Sequence, residues 1–463
     1  MGSIGFKRVL LALTVLGLAI RLVCLEIAAP VRITGDEVYF SKVAINIAAG
    51  NGHTYDDGSK ASWPPGNAYF LSLFVEPERS DEGADGLVYT IKMMMVGQVI
   101  LSSLLVPLVM MLAAVLFDRR TAFLAGLITA LYPTLVAYGH YLWAENAFLV
   151  PTLAGLILAI RAQSTRRFTL AALSGALFGL AALSRETGLI IAAACGLWFI
   201  WAAAGPDRRR AFLRAGLMII VASLVVIPWT IRNYRATGGF IPIATISWMA
   251  MAEGNIFDPD DWLHPDRDVL IEYRTAWRNI QDEVDRMEFS RQVAVEEIKR
   301  QQPAWILKKF VRTSGLLFSP DSFLFKKVSR GAYGNLSINT VRLLLVATVV
   351  SYLMVALAGL AGITITPERK YRLLPPVVAG AVFVLHVAAF TSSRHRLPIV
   401  TLLIPYAAYA ILNWRDIPRV FQEKRWIIPA VILVWFFTLC IPYFFNDAVS
   451  LWSRGTYVSP WRP

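Results

Sequence analysis

About eleven runs of apolar residues, each long enough to cross a bilayer as a helix, punctuate this chain. They tie its fold down more tightly than any other feature. A spanning helix rises about 1.5 Å per residue and needs about 20 mostly apolar residues to traverse about 30 Å of hydrocarbon. The runs fall at about 7–28, 91–117, 121–140, 144–161, 168–184, 187–204, 211–231, 340–363, 372–391, 396–413 and 425–445. Composition agrees. Of 463 residues, 56% are hydrophobic and 17% charged, against about a quarter charged in soluble domains. The expectation is an all-α integral membrane protein, a single transmembrane domain over 1–463.

The loops sort by charge. Asp118-Arg119-Arg120, Arg166-Arg167, Arg208-Arg209-Arg210, Arg369-Lys370-Tyr371-Arg372 and the stretch Arg415 to Arg425 occupy every second connection, on the side of Lys7 and Arg8. The positive-inside rule makes that side cytoplasmic. The net charge of +13 is thus a topology signal, and no nucleic-acid partner is expected. Lys7 and Arg8 precede the first run without a small-residue cleavage site, which reads as a retained signal anchor. Cys24, Cys195 and Cys440 lie far apart in or beside apolar runs, with no pairing or metal-ligand spacing.

The opposite side carries two long loops, about 29–90 and 232–339, followed by the C-terminal spans of 340–463. Loops of that length inside a compact protein are usually functional. In the second, Ile280, Val284, Met287, Ala294 and Ile298 repeat at helical spacing. After Pro303, Trp305 to Phe318 mixes Ile306, Leu307, Phe310 and Leu317 with Lys308, Lys309 and Arg312. That pattern suits a helix lying in the headgroup plane or one packed on the bundle. In the first loop, Thr34 and Glu37 have capping-box spacing and Gly50 sits where a C-terminal cap glycine belongs. A short surface helix with an apolar stripe of Phe40, Ala44 and Ile47 would hold Asp36 at its positive end, near the membrane boundary.

An Asp36-Glu37 pair just after the first span, Tyr39 two residues on and a surface helix ending in Gly50 resemble the GT-C membrane glycosyltransferases. The likeness is greatest to the family-39-like group of protein O-mannosyltransferases and lipid A aminoarabinose transferases. Trp63-Pro64-Pro65-Gly66, Tyr141-Leu142-Trp143-Ala144-Glu145, Leu183-Ser184-Arg185-Glu186-Thr187, Pro228-Trp229-Thr230-Ile231-Arg232-Asn233-Tyr234 and Ser393-Arg394-His395-Arg396-Leu397-Pro398 follow in the family's order. Glu186 and His395 depart from the Pro and Tyr usual at those points. The Trp-Trp-Asp motif of oligosaccharyltransferases is missing.

The resemblance implies a polyprenyl-phosphate sugar as donor, and inverting transfer to an acceptor hydroxyl on a glycan, lipid or protein. The reaction would occur outside a bacterial inner membrane. It makes Asp36 the candidate general base, a role worth roughly 10²–10⁴ in rate. Arg394, Arg396 and Arg232 are candidates for the donor phosphate, because guanidinium matches phosphate oxygens with a planar fork. Glu37, Tyr39, Glu145, Arg185 and Glu186 are candidates for placing sugar or acceptor. No cofactor is expected: His53 and His140 lack ligand spacing, and a divalent metal is compatible but not required. The rival reading is a transporter or flippase of lipid-linked sugars. Against it, no repeat relates the two halves and the charges gather at the outer boundary rather than the midplane.

Overall fold

The computed structural model describes residues 3–80, 82–203, 205, 207–258, 266–320, 323–329, 331–418, 425–441, 449 and 452–453. Among these, all regular structure is helical. Seven helices are long and apolar enough to cross a membrane. The first is α1 (Ser3–Ala28), and the surface helices α2 (Asp36–Ala48), α3 (Gly66–Ser72) and α4 (Pro77–Ser80) follow it. Next come α5 (Ala84–Ser103) and α6 (Leu105–Leu116), one apolar stretch broken at Leu104, and then α7 (Arg119–Leu131) and α8 (Pro133–Tyr138). The expected single span at 121–140 is therefore two short helices. Pro133 supplies the first position of α8 and forces the preceding Tyr132 into an extended conformation, which a continuous helix cannot accommodate.

The bundle continues with α9 (Glu145–Thr165), α10 (Phe168–Ala182), α11 (Thr187–Ala202) and the long α12 (Asp207–Thr237). The second long loop folds as α13 (Ile246–Asn255), α14 (Arg267–Asn279), α15 (Glu283–Arg300), α16 (Trp305–Phe318) and α17 (Phe323–Ser329). Three spans follow: α18 (Ile338–Ile365), α19 (Arg369–Ala388) and α20 (Leu397–Leu412), the last entered through a 3₁₀ turn at Ser393–Arg396. A further apolar helix begins at Ile427. The expected run at 425–445 is described only to residue 441, and its remainder lies outside the described residues.

Small residues set how closely the helices approach. A methyl group at Gly175 of α10 would come within 2.2 Å of the Met218 carbonyl oxygen of α12, and one at Gly362 of α18 within 2.0 Å of the Tyr406 carbonyl oxygen of α20. Backbone-to-backbone contact of this kind holds helices together in lipid, where no hydrophobic drive separates them from their surroundings. Gly362→Ala must push α18 off α20. We expect it to cost about 1–3 kcal/mol, the usual penalty of overpacking, read as a lower unfolding temperature in nanodiscs.

The face opposite Lys7 and Arg8 is tied down by its own loops. Glu283, at the start of α15, accepts the backbone N–H groups of Lys60 and Ala61 at 3.0 Å. Arg232, near the C-terminal end of α12, donates to the carbonyls of Lys60 and His53 at 2.6 and 3.0 Å and lies over the Trp229 ring. His53 is buried against this clasp, with Nδ1 3.0 Å from the Lys60 carbonyl and Nε2 without a partner among the described residues. Burial, with the Arg232 charge adding to it, pushes its pKa down to about 4. Because the folded value lies below the unfolded 6.5, this group costs nothing above pH 6.5. Stability is lost as the pH falls from 6.5 towards 4, on the order of 3 kcal/mol in total. Unfolding measured across that window should show the slope in the wild type and lose it in His53→Gln.

Helix α16 follows the second of the two alternatives, a helix packed on the bundle. Its range is as expected, but it does not lie with its charges in the headgroups. Lys309 and Arg312 are buried and Ile306, Leu307 and Phe310 are exposed. Lys309 Nζ donates to the Gly254 and Ala389 carbonyls at 2.8 and 3.2 Å, and Arg312 sits over the Phe257 ring. Inward amines that cap carbonyls at the ends of α13 and α19 outweigh the headgroup attraction. Burial lowers the Lys309 pKa well below its usual value.

Candidate functional site

The site begins with α2. Its apolar face, Phe40, Val43 and Ala44, is buried in a cluster with Leu25, Met94, Met95, Val99 and Leu142, which fixes the helix against α1 and α5. At its far end Gly50 takes the left-handed conformation (φ 82°). Gly50 and Asn51 return N–H bonds to Ile47 and Asn46, the paired bonds of a Schellman cap. At its near end only half of the expected capping box forms. Glu37 reaches back to accept the Thr34 N–H at 2.9 Å, but the residue capping the helix is Gly35 and the Thr34 hydroxyl caps nothing.

That hydroxyl instead accepts a hydrogen bond from Lys327 of α17, and the same amine forms an ion pair with the Glu37 carboxylate. Both charges are buried, and the amine lies about 5 Å from the Tyr141 and Trp143 ring centres. Burial raises the Glu37 pKa, and the Lys327 charge opposes that rise. Glu37 is therefore an anchor for the start of α2, and Lys327 is its counterpart. One lysine of the Lys326-Lys327 pair in a long loop has neither period nor motif, so the sequence carried no signal for it.

Asp36, one residue earlier, projects into a different set of charges. Arg394 Nη1 donates to Asp36 Oδ2 at 2.7 Å. Its Nε lies 3.7 Å from Glu145 Oε1, and that same oxygen accepts from Arg185 Nη1 at 2.7 Å. The result is an alternating chain, Asp36–Arg394–Glu145–Arg185. Asp36 and Arg185 are about a quarter exposed at its ends (26% and 22%), while Glu145 is 4% exposed at its centre. The Arg394 guanidinium also lies over Trp143 and Phe323, 5.2 and 5.5 Å from the ring centres. Glu145 Oε2 is buried without a donor among the described residues.

Each member is held by identifiable neighbours. Glu145 opens α9 and follows a segment fixed by buried amides. Asn67 donates to the Leu142 carbonyl, Gln98 donates to Asn67 and to the Trp143 carbonyl, and Asn146 donates to Gln98 and the Tyr138 carbonyl. Arg185 sits in the turn between α10 and α11. There Gly66 N–H donates to Leu183 O at 2.6 Å, and any side chain at Gly66 would strike Ser184. The Trp63-Pro64-Pro65-Gly66 element thus works by close approach to the arginine's turn. Arg394 stands on the 3₁₀ turn before α20.

Four of the nine residues singled out from the sequence therefore meet: Asp36, Glu145, Arg185 and Arg394. The other five make their contacts elsewhere. Arg396 faces away, donating to the Leu317 and Ser319 carbonyls and lying 4.0 Å from the Tyr352 ring centre. Arg232 closes the clasp on Lys60 and His53 described above. Glu186 is half-buried and accepts from the Ser247 hydroxyl, and desolvation raises its pKa. Tyr39 packs in an aromatic group with Phe40, Tyr55 and Trp63. Glu37 holds Lys327.

A small cleft beside the chain of charges is lined by Glu145, Arg185, Thr187, His386, Arg394 and His395. The two imidazole centres lie 4.4 Å apart, with their planes tilted by 36°. His386 was not singled out from the sequence, because a lone histidine at the end of an apolar run carries no pattern. Among the described residues no group of three or more His, Cys, Asp or Glu side chains is arranged to hold a metal ion.

Residues 88–231 match the family described as dolichyl-phosphate-mannose-protein mannosyltransferase. The fold matches solved structures of the Archaeoglobus fulgidus oligosaccharyltransferase. The form tethered to an acceptor peptide containing the NVT sequon aligns at TM-score 0.55 and 15% identity, over 99% of this chain and 56% of that one. The form in complex with an inhibitory peptide and a dolichol-phosphate aligns at TM-score 0.53 and 16% identity, over 98% and 56%. This chain thus spans little more than half the length of the archaeal protein. ArnT from Cupriavidus metallidurans bound to undecaprenyl phosphate aligns at 14% identity over 88% of this chain and 78% of that one, with a TM-score of 0.42. No curated protein matches the chain. The architecture is of the GT-C type.

Proposed function

We propose that this multi-pass GT-C membrane protein is an inverting glycosyltransferase that moves a sugar from a polyprenyl-phosphate donor to an acceptor hydroxyl. The reaction takes place at the outer boundary of a bacterial inner membrane. The observation that carries the reading is the 2.7 Å pair between Asp36 and Arg394, backed by Glu145 and Arg185. It puts a carboxylate and a guanidinium side by side at a helix start, beside the membrane-spanning bundle. The family match over 88–231 and the sequence motifs support the same reading. The solved structure carrying dolichol-phosphate belongs to a protein that shares only the fold.

In the proposed step the acceptor oxygen attacks the anomeric carbon from the face opposite the lipid phosphate. Asp36 takes the hydroxyl proton as the new C–O bond forms. The bond between the anomeric carbon and the phosphate oxygen breaks, and its electron pair leaves on the polyprenyl phosphate. Asp36 Oδ2 is held by Arg394, and Oδ1 has no donor among the described residues, so one oxygen is oriented while the other is open to the acceptor. Arg394 and Arg185 supply fixed positive charge for the departing phosphate, a form of stabilisation that is strong where water is excluded. No metal is assigned to the step. Arg232 and Arg396 are left out of the phosphate site because their guanidinium groups are turned to backbone carbonyls away from Asp36.

The test is purified protein in lipid nanodiscs, offered a panel of polyprenyl-phosphate sugars with native membranes as acceptor source, with and without a chelator. Release of free polyprenyl phosphate is followed. Turnover with one donor and resistance to the chelator supports the reading. Donor transfer across the bilayer without cleavage would replace it with transport. Arg394→Lys keeps the charge but loses the planar fork, so KM for the donor should rise about tenfold, the cost of roughly one charge-assisted hydrogen bond.

A further inference from the structure

An open cavity lies at the other end of the bundle from Asp36. It measures about 720 Å³ and is lined by Phe6, Met111, Ala114, Val115, Asp118, Arg119, Arg120 and Arg161. Phe6 lies in the first turn of α1 and Asp36 beyond its last, so about 33 Å of helix, at 1.5 Å per residue, separates the two sites. The cavity thus opens on the face marked by Lys7, Arg8, Arg119 and Arg120. The proposed reaction uses none of these residues.

Its chemistry is two-sided. Met111, Ala114 and Val115 on α6, with Phe6 on α1, form an apolar wall at the end of spanning helices. Arg119 and Arg120 at the start of α7 and Arg161 near the end of α9 form a basic rim. The one carboxylate present, Asp118, is committed to the start of α7. Its oxygens accept the backbone N–H groups of Arg120 and Thr121 at 2.7 and 2.9 Å and the Thr121 hydroxyl at 3.2 Å. The Arg119 guanidinium lies 5.7 Å from the centre of the Phe6 ring, an aromatic face that orients it. Neither Arg120 nor Arg161 has an ion pair among the described residues, and both are exposed. An apolar wall running into a guanidinium rim at the membrane boundary fits a molecule with an acyl chain below and an anionic phosphate above.

We propose that this cavity is a binding site for the headgroup of an anionic phospholipid from the leaflet opposite the active site. The phosphate is held by Arg120 and Arg161, with Arg119 beside it, and the start of the acyl chains lies along Met111, Ala114 and Val115. Guanidinium is suited to phosphate oxygens by its paired N–H geometry, and basic side chains near an anionic lipid surface gain attraction that falls off within a Debye length. Charge complementarity decides the occupant. A zwitterionic headgroup would bring its own cation against three arginines, and a soluble phosphate would leave the apolar wall uncovered.

The experiment is native mass spectrometry of the full chain released from nanodiscs holding equal parts of phosphatidylglycerol and phosphatidylcholine. The wild type should retain phosphatidylglycerol over phosphatidylcholine, and Arg120→Ala/Arg161→Ala should reduce that preference about fivefold per arginine removed. Met111→Trp fills the cavity without changing its charge and should reduce retention as well. Retention unchanged by both variants, or equal retention of the two lipids by the wild type, overturns the proposal. If soluble glycerophosphate at millimolar concentration displaces the retained lipid, the site is one for a free phosphate and the lipid assignment falls. Should the double alanine variant fail to assemble, Met111→Trp and Arg120→Lys/Arg161→Lys carry the test. The lysine variant should keep part of the preference, because it keeps the charge and loses only the fork.

Discussion

Asp36→Asn should abolish most turnover, lowering kcat by about 10²–10⁴, the range a positioned general base contributes. The substitution keeps the shape of the side chain, and its amide oxygen can still accept from Arg394 as Asp36 Oδ2 does. What it loses is the capacity to take a proton. KM for the donor should therefore change far less than kcat, which separates loss of the base from loss of binding. Single-turnover release of polyprenyl phosphate, with donor binding measured in parallel, reads both quantities. Equal kcat in wild type and variant would remove Asp36 from the proton transfer and turn attention to Glu145, whose buried Oε2 is the next acceptor in the chain of charges.

Lys327→Met should have the largest effect on stability. It leaves Glu37 buried without its cation, and removing one partner from a buried pair costs about 3–5 kcal/mol. Glu37→Gln/Lys327→Met should regain most of that loss, since two neutral groups of similar size replace two charges. The pH dependence gives a second reading. Burial raises the folded pKa of Glu37 above the ordinary 4.5, and without Lys327 nothing charged opposes that rise. The damage should therefore be mild below pH 4.5, where the carboxyl is neutral in both states. It should then grow as the pH rises through the raised value. Thermal unfolding of the three proteins in nanodiscs at several pH values measures all of this. A single variant as stable as the wild type at neutral pH would mean that the pair does not anchor α2.

The spans were legible because hydropathy reports the solvent directly, and a bilayer demands length as well as apolarity. Where the pattern misled, a local rule was stronger. Pro133 divides what reads as one run into α7 and α8, and a break at Leu104 divides another into α5 and α6. The chain of charges was legible only as far as motif order carries. Asp36, Glu145, Arg185 and Arg394 come from four distant segments, and nothing in their spacing says that they meet. Arg394 and Arg396 look equivalent in Ser393-Arg394-His395-Arg396, yet they serve different neighbours. Lys309 and Arg312 read equally as a headgroup-facing edge of α16 or as a side packed on the bundle, and they form its inner side. Hydropathy cannot tell a cation that seeks phosphate from one that seeks buried carbonyls.

The turn at Ser393–Arg396 carries one more consequence. A 3₁₀ turn has about three residues per revolution, so side chains two apart leave the axis about 120° from each other. Arg394 thus reaches Asp36, while Arg396 grips the carbonyls that end α16. The two arms share a single four-residue axle. A phosphate that draws Arg394 away from Asp36 must either bend that axle or tug on the end of α16, and a displacement of α16 is likewise felt at Arg394. The charged cluster at Asp36 and the end of α16 are in this way mechanically geared through one short turn.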